Sequence, residues 1–572
     1  MGDVERPPAM STPSHEVDEQ AYVIPRRSAL SWLPPLMVAV TTLVAFWPVL
    51  WNGFINFDDE TTFLNNPYYR GLGWTQLHWM WGTRHLNMYR PLTWVTYGID
   101  YELWGLAPFG YHLTSLLLHA ANASLVYIVA RRLLLIGSGE RTAGAPALAG
   151  SAVIAALVFA IHPLRVEPVA WASDRATVLS ALFFLLCILA YLKFADASSN
   201  APASKRWYIA SVGFYALSLL SKPAALGLPV VLIVLDVYPL GRMTIWDFSP
   251  RARRLWCEKV PFFLCALAAV PVAIYVKTGG SAAVSRSDLL VALWAPDFYL
   301  WKILVPVDLS LYELPLHLHL SVSRLLAVPA ITFALVVARR RWPAGLAVWV
   351  CYLALLAPTL GVVRYGPQIA ADRYTYLPSL GWAILAGAAA LYGWTAWQDR
   401  RIGRAAAGLL AGGTVAILMV LGTLTWKQAQ VWRDTETFWT HVLRTNPNSS
   451  VAHNNLGQAL AQHGRWDEAI PHFKRALELR PNDPDANNNW GAALVRAGNL
   501  DEALRYFRRA VELRPGHAVA HNNLGGALLL QGKRDEAVGH FATALELDPN
   551  LAQARQNLSE AGLGVAPRQD QP

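Results

Sequence analysis

Between residues 30 and 426 the chain returns eleven times to an apolar run, and runs of this kind cannot be left in water. About 20 apolar residues match the hydrocarbon thickness of a bilayer, where a backbone must satisfy its own N–H and C=O groups. Helical spans are expected at roughly 30–51, 110–130, 147–161, 168–192, 207–220, 224–240, 260–276, 323–338, 343–361, 375–395 and 405–426. With 54% apolar and 15% charged residues over 572 positions, the chain exceeds one ordinary domain and is too apolar to be soluble throughout.

The net charge of +9 does not point to nucleic acid, because the basic residues sit in short clusters between apolar runs, where the positive-inside rule accounts for them. Arg131-Arg132, Lys193 with Lys205-Arg206, Arg242 through Lys259, Arg339-Arg340-Arg341 and Arg400-Arg401 with Arg404 all fall on one side of an eleven-span arrangement. That side is read as cytoplasmic. Residues 1–29, rich in Pro, Ser, Glu and Arg and without an apolar core, read as a disordered cytoplasmic tail. The first run lacks a small-residue cleavage site, so it reads as an anchor that places Asp58 outside. The segment 289–305 is apolar enough to cross, but crossing would put the Arg339 cluster outside, so it is expected to be re-entrant or to lie on the outer face. Cys187, Cys257, Cys265 and Cys351 show no metal-ligand spacing and no disulfide framework.

On this topology the polar residues of both signs at span ends collect on the outer side: Asp58, Asp59, Arg90, His162, Arg165, Glu167, Asp174, Arg175, Lys222, Asp372 and Arg373. Intramembrane and boundary charges are costly, and a set of both signs on one face is what an active site there needs. Asp174 and Arg175 also read as an ordinary helix start, and Lys222 as an interfacial anchor. The first outer loop is dense in aromatics, from Trp74 through Trp79, Trp81, Tyr89, Trp94, Tyr97 and Tyr101 to Trp104. They read as an aromatic belt or as a lid over a lipid-linked or sugar ligand, with Trp74 to Trp81 an amphipathic helix in the headgroup region.

After the last run the chain repeats every 34 residues. Gly457, Gly491 and Gly525 recur in step with Phe473, Phe507 and Phe541, and with Pro481, Pro515 and Pro549. This is the tetratricopeptide pattern of paired helices. Each repeat opens with an Asn pair, and Asn455, Asn489 and Asn523 would line one side of the stack. That ladder of amides suits either an extended peptide backbone or packing between repeats. The expected organisation is a tail (1–29), a membrane domain (30–430), a half-repeat connector (431–449), three repeats (450–551), and a capping helix and tail (552–572).

With these pieces placed, the chain resembles the transmembrane and tetratricopeptide-repeat-containing protein O-mannosyltransferases and their bacterial relatives, of the GT-C glycosyltransferase class. The likeness rests on FDDE at Phe57 to Glu60, HPLRVEPVAWASDR at His162 to Arg175, SKPAALGLPVVLIVLDVYPL at Ser221 to Leu240, ADRYTYLP at Ala371 to Pro378, and the repeats. It implies an all-α fold: a polytopic GT-C-type membrane domain of about 11 spans, then a helical solenoid. It also implies inverting transfer of a sugar, by kinship mannose, from a polyprenyl phosphate donor on the extracytoplasmic face, with one carboxylate of the acidic pair as general base.

The residues agree with that chemistry. Asp58 or Asp59 can take the acceptor's proton, while Arg90, Arg165, Arg175, Lys222 and Arg373, oriented by His162 or Glu167, can receive the departing phosphate. No cofactor is assigned. A divalent metal on Asp58, Asp59 and Glu60 stays open, since three adjacent carboxylates cannot all converge unaided. Expected partners are the lipid-linked sugar, the bilayer, and a protein acceptor held by the repeats. Two other classes fit in part: an envelope oligosaccharide polymerase or ligase, which would carry its chemistry in a large late outer loop, and a non-catalytic membrane-anchored scaffold.

Overall fold

The computed structural model describes residues 31–138, 144–196, 202–244, 249–278, 286–310, 312–313, 322–360 and 368–562. The tail expected over 1–29 and the segment beyond 562 lie outside these residues. Helices fall on every apolar run. They are α1 (Leu33–Ala45), α2 (Trp74–Gly82), α3 (Pro91–Trp104), α4 (Pro108–Gly137), α5 (Ala145–Ala160), α6 (Val166–Ala170), α7 (Arg175–Asp196), α8 (Pro202–Ser221), α9 (Leu228–Val237), α10 (Pro250–Cys257), α11 (Val260–Thr278), α12 (Arg286–Leu304), α13 (Val322–Ala338), α14 (Pro343–Leu356), α15 (Leu380–Gln398) and α16 (Arg404–Val431). Apart from one short antiparallel pairing of Tyr312–Glu313 with Gln368–Ala370, the described residues are helical or loop.

Among the described residues, four helical stretches are long and apolar enough to cross a membrane: Pro108–Gly137, Ala172–Asp196, Ala252–Tyr275 and Arg404–Val431. A fifth is added if Ala145–Ala160 and Pro163–Ala170, bent by 59°, form one span. The expected count of eleven is not reached on this criterion: α1, α9, α13 and α14 are too short by themselves, and α8 and α15, long enough, are not apolar enough. The segment around 289–305 is the helix α12, and its charges keep it off that list. The surface still marks a membrane protein. Only 6% of the most apolar window of Arg404–Val431 and 11% of that in Ala252–Tyr275 is buried inside the molecule, an apolar exposure that water does not tolerate.

Small residues let the bundle close. A Cβ on Gly387 of α15 would meet the Ser151 carbonyl of α5 at 2.6 Å, so these helices cross at backbone distance. At the side of the basic clusters, part of the positive charge is paired: Asp236 takes Lys259 Nζ (2.5 Å), Arg242 Nη1 (3.0 Å) and Tyr191 Oη (2.8 Å), joining α9 to α7 and α11.

The C-terminal region continues as α17 (Thr435–Thr445), three helix pairs, α18 (Ser450–Gln462) with α19 (Trp466–Leu479), α20 (Pro484–Arg496) with α21 (Leu500–Leu513), and α22 (Ala518–Leu530) with α23 (Arg534–Leu547), and a last helix, α24 (Ala552–Gly562). Each pair turns at a glycine in the left-handed region, Gly464, Gly498 and Gly532, with φ of 75°, 81° and 81°. The repeat glycines admit the repeat phenylalanines: a Cβ on Gly491 would meet the Phe507 ring at 2.7 Å. Gly491→Val should therefore force the middle repeat open at a cost of about 1–3 kcal/mol. A lower unfolding temperature for the array, followed by differential scanning fluorimetry of the full chain, is the expected result; an unchanged melt would show that the ring relaxes away.

Candidate functional site

Three of the expected site residues, two of them cations, share a local rule: each stands directly before a proline. Steric conflict with the proline ring keeps that residue out of the α region. Arg90 before Pro91 has φ −146°, ψ 60°; His162 before Pro163 has φ −80°, ψ 134°; Lys222 before Pro223 has φ −162°, ψ 133°. Arg90 and Lys222 are thus held at the entrance of helical turns, where free N–H groups add positive potential.

The acidic pair precedes a single π turn, Glu60–Leu64, and the two carboxylates have different environments. Asp59 is closed off from solvent, 1% exposed. Its Oδ1 accepts from the Ser173 N–H (3.0 Å) and the Ser173 hydroxyl (2.5 Å), and its Oδ2 from the Ile55 N–H (3.2 Å). Burial pushes its pKa up to about 7 against the pull of these hydrogen bonds. Asp58 is half-buried. Burial raises its pKa as well, while the charges of Arg90 and Arg373 oppose the rise and Asp174 adds to it.

Arg90, Arg373 and Asp174 act on Asp58, and Lys222 and Glu167 join the group through Asp174 and Arg373. Lys222 Nζ donates to Asp174 Oδ1 (2.5 Å) and Thr177 Oγ1 (2.6 Å). Burial lowers its pKa, with Asp174 working the other way. Arg373 pairs through Nη1 with Glu167 Oε1, and its backbone N–H donates to Glu167 Oε2 (2.8 Å), while its guanidinium lies over Trp171. Arg90 differs from both. It is 2% exposed, its Nη1 donates to the Ser173 carbonyl (2.8 Å), and its buried Nε and Nη2 have no hydrogen-bond partner.

The other expected site residues lie apart from this group. Arg175 is engaged inside the protein by an ion pair with Asp100 and by hydrogen bonds to the Tyr111 carbonyl (2.8 Å), Ser115 and Thr96, so its guanidinium is not available to a phosphate. His162 donates from Nε2 to the Ile303 carbonyl of α12 (3.0 Å) and accepts at Nδ1 from the Leu164 N–H, which fixes α12 against the bend after α5. Arg165 donates to Ser379 Oγ (2.5 Å), lies over Phe159 and Tyr376, and keeps Nε and Nη1 unpartnered, as Arg90 keeps Nε and Nη2, but its influences are Tyr376 and Asp372, not Asp58. Among the described residues no three His, Cys, Asp or Glu side chains are grouped to hold a metal ion. Asp58, Asp59 and Glu60 do not converge, because Asp59 is turned onto Ser173.

Two residues escaped the sequence reading. Ser173 carries both Asp59 and Arg90, and nothing local in the sequence marks it. Asp100, the partner of Arg175, lies inside a helix where an acidic residue has no distinguishing spacing. In the array, Asn489 Nδ2 donates to Asn454 Oδ1 (3.0 Å), Asn523 Nδ2 to Asn488 Oδ1 (3.0 Å) and Asn557 Nδ2 to Asn522 Oδ1 (2.9 Å). The ladder therefore binds repeat to repeat, and Asn455 stands at its membrane end without a preceding repeat.

The fold is that of an all-helical protein with apolar helices suited to a membrane, bearing a tetratricopeptide solenoid. Residues 450–483 and 484–550 match family models described as tetratricopeptide repeat. The chain is 28% identical over 507 residues to protein O-mannosyl-transferase TMTC4 of Homo sapiens, covering 77% of this chain and 66% of that protein. It is 26% identical over 534 residues to protein O-mannosyl-transferase Tmtc3 of Drosophila melanogaster, covering 81% of this chain and 56% of that one. The resemblance carried by the motifs thus extends over most of the chain, which spans less than two thirds of the length of these relatives. Among solved structures, the first tetratricopeptide domain of Spaghetti (RPAP3) aligns at 24% identity and a TM-score of 0.19, covering 20% of this chain and 91% of that one.

Asp59→Asn tests the division between the two acids. An amide in place of the carboxylate sets an N–H₂ against the Ile55 N–H or the Ser173 donors, at a cost of about 1–3 kcal/mol. Because the folded Asp59 holds its proton to about pH 7 while an unfolded Asp releases it near 3.9, its contribution to stability is present below that lower value and is lost as pH rises to about 7. The Asn variant should lose this pH dependence in denaturation curves between those limits. An unaltered curve would show that Asp59 is not the titrating group.

Proposed function

We propose that the protein is an inverting glycosyltransferase that moves a sugar, by kinship mannose, from a polyprenyl phosphate to an acceptor hydroxyl on the extracytoplasmic face. The observation that carries this reading is Arg90, a buried guanidinium with two unpartnered N–H groups, acting on a half-buried carboxylate, Asp58. Lys222 is balanced by Asp174 and Arg373 by Glu167, so Arg90 is the cation of the group whose side chain pairs with no carboxylate and can meet a phosphate. The names of the relatives support a mannosyl transfer to protein.

In the reaction, Asp58 takes the acceptor O–H proton as the acceptor oxygen bonds to the anomeric carbon. The bond from that carbon to the phosphate oxygen breaks on the opposite face, and its electron pair leaves with the lipid phosphate. Arg90, with Lys222 and Arg373 at the rim, stabilises that charge, and the already ionised leaving group needs no general acid. Asp59 keeps the loop in place. An apolar cavity of about 510 Å³ among α4, α7, α9, α14 and α15 reaches Gly137, Pro239 and Thr395 at the helix ends that carry the basic clusters, so it is not part of the Asp58 site. The basic clusters at the opposite ends of the spans support the outer-face assignment and the eleven-span topology.

Asp58→Asn is expected to lower kcat about a hundredfold or more with donor binding retained, and the wild-type rate should fall as pH drops through the raised pKa of Asp58. Arg90→Ala should weaken donor binding and kcat together, and Arg90→Lys should not restore them, since a forked contact is lost. The assay is transfer by purified protein from a panel of polyprenyl phosphate sugars. Wild-type rates in both the Asp58 and Arg90 variants would refute the assignment.

The array would present a protein acceptor to this site. Asn489→Ala and Asn523→Ala each remove an inter-repeat hydrogen bond of about 0.5–1.5 kcal/mol and should lower the array's unfolding temperature. Asn455→Ala should leave that temperature in place and slow transfer to a protein acceptor at subsaturating concentration. Equal effects of all three on stability and none on transfer would confine the ladder to packing.

A further inference from the structure

The loop that carries Asp58 is held on one side by the tetratricopeptide array. Asn56 is 7% exposed and makes three hydrogen bonds across this junction. Its N–H donates to Thr435 Oγ1 (3.1 Å), its Oδ1 accepts from Trp439 Nε1 (2.6 Å), and its Nδ2 donates to the Asn455 carbonyl (3.1 Å). Next to it, Phe57 is stacked on Trp171 with 5.1 Å between ring centroids and meets Trp439 edge-on at 5.7 Å. Upstream, the Gly53 N–H donates to the Arg433 carbonyl (2.8 Å) and Asn52 Nδ2 to the Ala429 carbonyl (3.3 Å). Asp58 therefore lies between two fixings, Asn56 on α17 and the first repeat, and Asp59 on Ser173.

We propose that Asn56 is a positioning residue for Asp58, so that α17 and the first repeat belong to the catalytic unit and do more than hold acceptors. The inference rests on the reading of Asp58 as general base. A repeat array that served only as a tether would need covalent attachment through residues 432–434 and no contact with the acidic loop. Instead, a buried amide is matched on its N–H, its oxygen and its Nδ2 by three separate array groups, an arrangement that admits one position of the loop. Proton transfer in concert with attack is sensitive to such placement, and a shift of about 1 Å costs about a hundredfold.

The test uses the full chain in lipid nanodiscs with Trp439→Phe, which keeps a ring beside Phe57 and removes the N–H donor, and with Asn56→Ala. Transfer from polyprenyl phosphate mannose to a short peptide too small to engage the array is followed together with hydrogen exchange of residues 52–64. Both variants should lower kcat about tenfold or more with KM for the donor unchanged, and should displace the pH profile of kcat as Asp58 moves relative to Arg90. Exchange over 52–64 should quicken while that of α20 to α23 stays as in the wild type. A merely structural role would reduce the active fraction and leave the pH profile in place, and that result overturns the proposal, as do wild-type kcat and exchange in both variants. Absence of transfer by the wild type from any lipid-linked sugar sinks the catalytic reading, and the positioning role with it; faster exchange in Trp439→Phe would then support only the mechanical link.

Discussion

Ser173 is the point on which the acidic loop and Arg90 both depend. Its N–H and hydroxyl hold Asp59, and its carbonyl receives Arg90 Nη1 and Tyr97 Oη. One residue in the turn between α6 and α7 thus binds the acidic loop that follows α1 and the arginine that opens α3. These groups are far apart in the chain and of opposite charge, and in a low-dielectric boundary each would be costly alone. Joined through a single backbone position, they are brought together without forming a direct ion pair. That leaves the adjacent Asp58 half-exposed and Arg90 with two unengaged donors.

Charge pairing then sorts the remaining cations. Asp174 neutralises Lys222, Glu167 neutralises Arg373, and Asp100 takes Arg175. The first two pairs border the cluster; the third is sealed among Tyr97 and Tyr111 and stabilises the packing of α3, α4 and α7. Similar residues thus take different roles according to whether a buried carboxylate lies within reach. Asp58 and Asp59, neighbours in sequence, differ in turn: Asp59 is buried on Ser173 and Ile55, while Asp58 is only half-buried.

The array adds a second constraint. Its repeats are bound to one another by an asparagine ladder that ends at Asn455, where the backbone carbonyl meets Asn56 of the acidic loop. Gln428 and His441 also donate to the Leu309 carbonyl, in the segment after α12. The solenoid is in this way packed on the acidic loop and on the segment after α12, and connected to them by more than its linker.

Periodicity and spacing alone determined that the chain has helices on its apolar runs and paired helices in its repeats, because bilayer thickness and a 34-residue register are one-dimensional constraints. Arg90, His162 and Lys222 were also legible as polar residues at the ends of apolar runs, and the structure adds that each precedes a proline that excludes it from the helix. Which of those charges stays available was not legible. Arg90, Arg165 and Arg175 look alike in the chain, and only tertiary structure decides that Arg175 meets Asp100, that Arg90 meets a carbonyl instead of a carboxylate, and that the Asn pairs bind successive repeats. The availability of a buried charge depends on what the fold brings within hydrogen-bonding reach, and that distance is set by the packing of helices remote in sequence.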